Sequence, residues 1–164
     1  IERIRRPTEV FLNVLYHGSE EDLAKFCNKY NAEYFVYNRG YAGPMGPYST
    51  RYIAAAKHIQ PESPVNRMNL DVKNLAWFYL IDPPSDLSQL STVYSVFRVV
   101  KPKDKMDAMK LWVRGERAFG EGDITMAQRC AKVAVWLDPT SDSIRTFYTR
   151  VFRAPPRITL DRVL

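Results

Sequence analysis

The spacing of apolar residues changes once along this chain. Through the first hundred residues, stretches with helical periodicity alternate with short continuous apolar runs; beyond Lys105 only the helical periodicity remains. Pro7 opens the first predicted helix, with Val10, Phe11, Val14 and Leu15 on one side and Gly18 as the stop. Ser19 starts the next. In "SEEDLAKFCNKYNA" the serine can accept a hydrogen bond from the free amide of Asp22, and Glu20 and Glu21 favour the positive helix end. Leu23, Phe26, Cys27 and Tyr30 then form the buried face, and Asn31 suits a left-handed end position.

"EYFVYN" is aromatic, β-branched and bounded by polar residues, the composition of a buried strand. Ser49 can cap a third helix, "TRYIAAAKHI", ended before Pro61. "LAWFYLID" (Leu75 to Asp82) and "TVYSVFRVV" (Thr92 to Val100) read as further buried strands, with Pro83 and Pro84 opening a short helix or turn between them. Helices alternating with strands predict a small α/β layer fold of three or four strands. From Met106 to Phe152 the apolar positions Met109, Trp112 and Phe119, then Ala127, Ala131, Ala134 and Val135, predict helices only. The change at Lys101–Lys105 divides the chain into an α/β module (1–102), a helical module (103–154) and a tail (155–164).

A length of 164 residues with 46% apolar and 26% charged side chains is that of a globular protein. Such a chain buries roughly 68–70% of its unfolded surface without outside staples. Cys27 and Cys130 lie far apart, each among apolar neighbours, and read as small buried hydrophobes rather than a disulfide. No window approaches the roughly 18 apolar residues of a membrane span, and the first residue is Ile, so a soluble piece cut from something longer is expected. The net charge of +6 raises nucleic acid as a partner. Apart from Arg3, Arg5 and Arg6 and from Lys101, Lys103 and Lys105, the basic residues are spread out, with no accompanying aromatic-basic motif, so no nucleic-acid partner is expected.

The stretch "YFVYNRGYAGPMGPYSTRYIAAA" places Gly40, Gly43 and Gly46 between a strand and a helix, the setting of a phosphate-binding loop. Arg39, Gly40, Gly43 and Arg51 are therefore the candidate anion-binding residues of a small nucleotide- or sugar-phosphate-binding enzyme. Against this, Pro44 and Pro47 remove two amides, the Lys-Ser/Thr pair is missing, and the glycine spacing is not that of a dinucleotide fingerprint. A plain turn before a capped helix explains the same residues. His17 and His58 sit near helix ends without Cys or carboxylate at ligand spacing, so neither metal nor cofactor is expected. The acidic cluster Glu20, Glu21 and Asp22 is accounted for by helix-start electrostatics, and no catalytic residue emerges.

"LWVRGERAFGEGDITMAQRCAKVAVWLDPTS" resembles one tetratricopeptide repeat. Gly115 follows Leu111 by four, Gly122-Asp123 break the first helix, Ala127 and Ala134 fall where two helices cross, and Asp138-Pro139 close the unit. Leu111 and Ala118 stand where the family often has aromatics, which here are shifted to Trp112 and Phe119. The resemblance implies a helical hairpin capped by "SDSIRTFYTRVF", with Met109, Trp112, Glu116 and Phe119 facing a partner protein or the rest of the chain. Helical core would use the same residues. Because one repeat rarely stands alone, the hairpin is expected to dock on the α/β module or to continue past Leu164.

The front of the chain resembles the soluble region after the membrane helices of bacterial glycosyltransferase C-type proteins, relatives of oligosaccharyltransferase catalytic subunits. The residues concerned are Glu20, Glu21, Leu23, Phe26, Lys29 and Tyr30, then Tyr34 to Tyr37, then Val93, Tyr94, Phe97, Arg98 and Val99. This resemblance implies a non-catalytic, extracytoplasmic domain attached to a membrane through segments outside this sequence. The three arginines near the start fit a cytoplasmic face instead, so orientation stays open. A soluble cytoplasmic scaffold is a further alternative.

Overall fold

The first helix, α1 (Glu2–His17), begins before Pro7 rather than at it. Proline has no N–H to give to the preceding turn, and the helix carries it in its second turn instead of starting there. Gly18 follows because a Cβ at that position would meet the Val14 carbonyl oxygen at 2.7 Å. A computed structural model of the protein describes residues 2–43, 59, 61–81 and 94–158. The expected Ser49-capped helix, the Pro83-Pro84 turn, Gly46, Arg51 and His58 lie outside the described residues.

Helix α2 (Glu20–Lys29) opens on a reciprocal cap, in which Ser19 Oγ accepts the Asp22 N–H at 3.1 Å and Asp22 Oδ2 accepts the Ser19 N–H at 3.0 Å. Asn31, at φ 54°, takes the left-handed position beyond its end. The buried face is Glu20, Leu23, Ala24 and Cys27, one step around from the expected one. Tyr30 is exposed, its ring tilted against Phe26 with centroids 4.9 Å apart, while Glu20 takes a place on the buried face and turns inward to a partner described below.

Strand β1 (Tyr34–Asn38) leads directly into a four-residue helix, α3 (Arg39–Ala42). Helix α4 (Pro64–Leu70), capped by Ser63 with Pro64 in its first turn, precedes a single 3₁₀ turn, Val72–Asn74. Strands β2 (Phe78–Leu80) and β3 (Tyr94–Val99) complete an antiparallel sheet of order β1-β3-β2. Phe35 pairs with Phe97, Tyr37 with Ser95, and Phe78 with Val99. The strands are not buried on both faces as their composition predicts. In β3, Ser95, Phe97 and Val99 are buried while Tyr94 is exposed, the alternation of a sheet covered chiefly on one side. Tyr37, Phe78 and Phe97 share a core with Leu15 and Tyr16 of α1, Leu23 of α2, and Val65 and Met68 of α4.

The chain separates into two compact units, Ile1–Val99 and Val100–Leu164. The second consists of α5 (Pro102–Gly120), α6 (Ile124–Leu137) and α7 (Asp142–Phe152). Gly115 is where they meet: a Cβ there would lie 2.7 Å from Phe147 Cε1 and 2.9 Å from Cys130 Cβ. Ala127, Ala131 and Ala134 give α6 the same closeness from the other side. Gly122, at φ 82°, turns the chain, and Asp123 caps α6 by accepting the Met126 N–H at 2.9 Å. Asp138 is buried, its Oδ1 accepting the Thr140 hydroxyl and amide, which folds the α6–α7 connection onto itself. Helix α7 buries Ile144, Phe147 and Val151 and presents Asp142, Ser143, Thr146 and Thr149 outward, the polar outer side of a capping helix. The molecule is thus a mixed α/β fold, helices around a three-stranded sheet followed by an all-helical hairpin and cap.

Candidate interaction face and glycine segment

Around the glycines, the described residues form a helix start rather than an open loop. Asn38 Oδ1 accepts the Tyr41 N–H at 3.0 Å, and the Gly43 N–H donates to the Arg39 carbonyl at 3.1 Å. Both amides are engaged within the segment. Gly43 has its own local reason, since a Cβ there would collide with the Arg39 carbonyl oxygen, whereas Gly40 is close only to Asn38 Oδ1, at 3.4 Å. Arg39 Nε is buried without a hydrogen-bond partner; Arg51 lies outside the described residues. Beside α3 is a cavity of about 340 Å³ walled by Phe11, Leu12, Leu15, Phe35 and Ala42, with Thr8, Asn38 and Tyr41 at its polar points. No cation lines it. Such a space suits an apolar group better than a phosphate.

On α5, the four expected partner-facing residues divide. Trp112 Nε1 donates to Glu116 Oε1 at 3.1 Å, and the other Glu116 oxygen accepts from Arg150 of α7. Phe119 meets Phe147 edge-on, with centroids 6.5 Å apart, and the Arg150 guanidinium lies 5.1 Å from the Phe119 ring centre. Trp112, Glu116 and Phe119 therefore belong to the packing of α7 on α5. Met109 alone of the four faces outward, 49% exposed, and it is joined by Met106 at 60% and Val113 at 58%. At 3.6 residues per turn these three fall within about 60° of the helix circumference.

The next roughly 80° of the same helix carries Arg117, Lys110, Lys103 and Arg114, all exposed. Lys110 pairs with Asp107 at 3.2 Å and Arg117 with Glu121 at 2.9 Å, exposed pairs of little energetic weight. Met106 and Val113 were legible in the i, i+3, i+7 spacing with Met109. What hid them is that a resemblance to a repeat directs attention to the side that α7 here covers. Charge is also less evenly spread than the run of residues implies. Residues 100–164 hold thirteen Lys and Arg against eight Asp and Glu, a net of +5, while residues 1–99 hold eleven against ten, a net of +1.

Glu20 corrects the helix-start account of the acidic cluster. Only 4% exposed, it accepts from Arg67 Nη1 at 2.7 Å and from the Trp77 N–H, while Arg67 also donates to the Asn74 carbonyl. One carboxylate thereby ties α2 to α4 and to the approach to β2, a structural clamp. Sequence reasoning could not have paired residues 47 positions apart. Cys27 and Cys130 are both free and buried, and burial pushes the Cys27 thiol up to about 11. Among the described residues no group of three or more His, Cys, Asp or Glu is placed to hold a metal ion. No described helix is long and apolar enough to cross a membrane. Compared with models of protein families, with curated proteins and with solved structures, the chain matches none.

Proposed function

We propose that this chain is a non-catalytic domain of a bacterial membrane protein of the glycosyltransferase C kind, serving protein interaction or structural support on the extracytoplasmic side. Its membrane attachment would come from segments outside this sequence. The family part of the reading rests on the resemblance of Glu20 to Tyr37 and Val93 to Val99, and the observation that carries its interaction part is the outward face of α5. Helices α6 and α7 occupy the other side of that helix through Gly115, Trp112 and Phe119, and leave Met106, Met109 and Val113 in solvent. Exposed apolar side chains aligned on one rigid helix mark a contact surface.

The test is co-purification of the domain, expressed separately, with the membrane portion encoded by the same gene. The wild-type domain is expected to be retained and the Met109→Ser/Val113→Ser variant to be lost; equal retention, or retention of neither, would count against the reading. A soluble cytoplasmic scaffold would follow if that gene encoded no membrane span. The buried Arg39 Nε, which has no hydrogen-bond partner, favours a second reading, an anion site for a small nucleotide or sugar phosphate at Arg39 itself and not in the apolar cavity beside α3. Stabilisation in a thermal melt by millimolar nucleotide or sugar phosphate, abolished by Arg39→Gln, would support it.

A further inference from the structure

The chemistry of the α5 face defines its partner more closely. We infer that Met106, Met109 and Val113, with Lys103 and Arg114 alongside, form a contact for an anionic lipid surface. The inference rests on reading α5 as an exposed interaction face. Three apolar side chains on a convex helix supply no groove, so a protein contact at this face would have to draw most of the roughly 1,000 Å² that a specific interface needs from other parts of the chain. A bilayer surface asks for no shape complementarity. It takes up short apolar side chains below the headgroups and draws lysine and arginine to its phosphates. Here the apolar and basic residues lie side by side along one helix, and the unit that carries them holds five of the six net positive charges of the chain. A second copy is the poorer occupant, because antiparallel pairing through the apolar stripe would set the basic flanks against one another.

The experiment is sedimentation of the full chain with vesicles of phosphatidylcholine alone, or of phosphatidylcholine mixed with phosphatidylglycerol. Binding is expected to the anionic vesicles only, and to fall away toward roughly 1 M salt, where the screening length is about 3 Å. Lys103→Gln/Arg114→Gln should weaken it about fivefold per charge removed, and Met106→Ser/Met109→Ser/Val113→Ser should abolish it. Arg129→Gln/Lys132→Gln removes the same charge from exposed positions of α6 and should leave binding nearly unchanged. All substituted side chains are exposed, and circular dichroism of each variant checks that folding is intact. The inference is overturned if folded protein ignores anionic vesicles, or if the α6 variant weakens binding as much as the α5 variants. Retention by the protein's own membrane portion in detergent, with no vesicle binding, would also overturn it while leaving the proposed function standing; loss of both would remove the two together.

Discussion

A buried carboxylate and a missing methyl group do more for this structure than their side chains announce. Glu20 satisfies two donors from distant segments, so Glu20→Ala would leave the Arg67 guanidinium and the Trp77 amide without their acceptor. We expect it to lower stability in urea by about 3–5 kcal/mol, and Glu20→Gln, which keeps an acceptor, by less. Gly115 acts by absence: Gly115→Ala must displace Phe147 or Cys130, at a cost of about 1–3 kcal/mol, read as an earlier thermal transition of the helical signal. Titration supplies a third expectation. Burial raises the Cys27 thiol from its ordinary 9.0 to about 11 and also raises Tyr37. The unfolded chain therefore ionises these groups first. Their neutral forms support folding fully below about pH 9, and that support is lost as pH rises toward 11. Cys27→Ala should narrow the alkaline loss in a pH-dependent melt; an unchanged profile would show that the thiol is not responsible.

At the scale of the element, the cap on α2 is the clearest case of a local rule obeyed. Ser19→Ala removes the acceptor for the Asp22 amide and should cost about 1 kcal/mol. Hydrogen bonds from Ser19 hold Asp22 below its ordinary 3.8, so the contribution of the carboxylate is present above that value and fades as the pH falls through the lower folded one. What was legible in the sequence is what such local rules govern: α2, its cap, Asn31, the three helices after Lys101, and the strands around Phe35, Phe78 and Phe97. Three things were not. Pro7 is a strong start signal that a longer helix overrode. The start of the glycine stretch, Arg39–Ala42, is helix α3, capped by Asn38. Helix α4 has Ser63 and Pro64 at its start, but its seven residues include two asparagines and make too few turns to show a period. Of the interaction face, the shared spacing of Met106, Met109 and Val113 was legible in the sequence, and their exposure, which depends on where α7 packs, was not.

Taken as a whole molecule, the chain has two cores that recruit residues separately. Among the described residues, the clusters around Phe147 and around Ile144 draw only on residues between Ala108 and Phe152. A lone repeat of two helices fails because half of each helix stays wet. Here α7 replaces the missing neighbour: its Phe147 enters the gap that Gly115 leaves, and its outer side is already polar. Residues 100–164 should therefore fold by themselves, giving a helical spectrum and a cooperative melt. About 60 residues bury only about 60% of their unfolded surface, so the stability of the fragment should be modest. Truncating the same fragment before Ser141 removes α7, exposes Trp112 and Phe119, and should leave a chain that is aggregated or largely unfolded. A stable monomeric hairpin without α7 would mean that α5 and α6 suffice. Trp112, Glu116 and Phe119 would then be free for a partner, as a tetratricopeptide-like face requires, and α7 would be a removable cover rather than a part of the core.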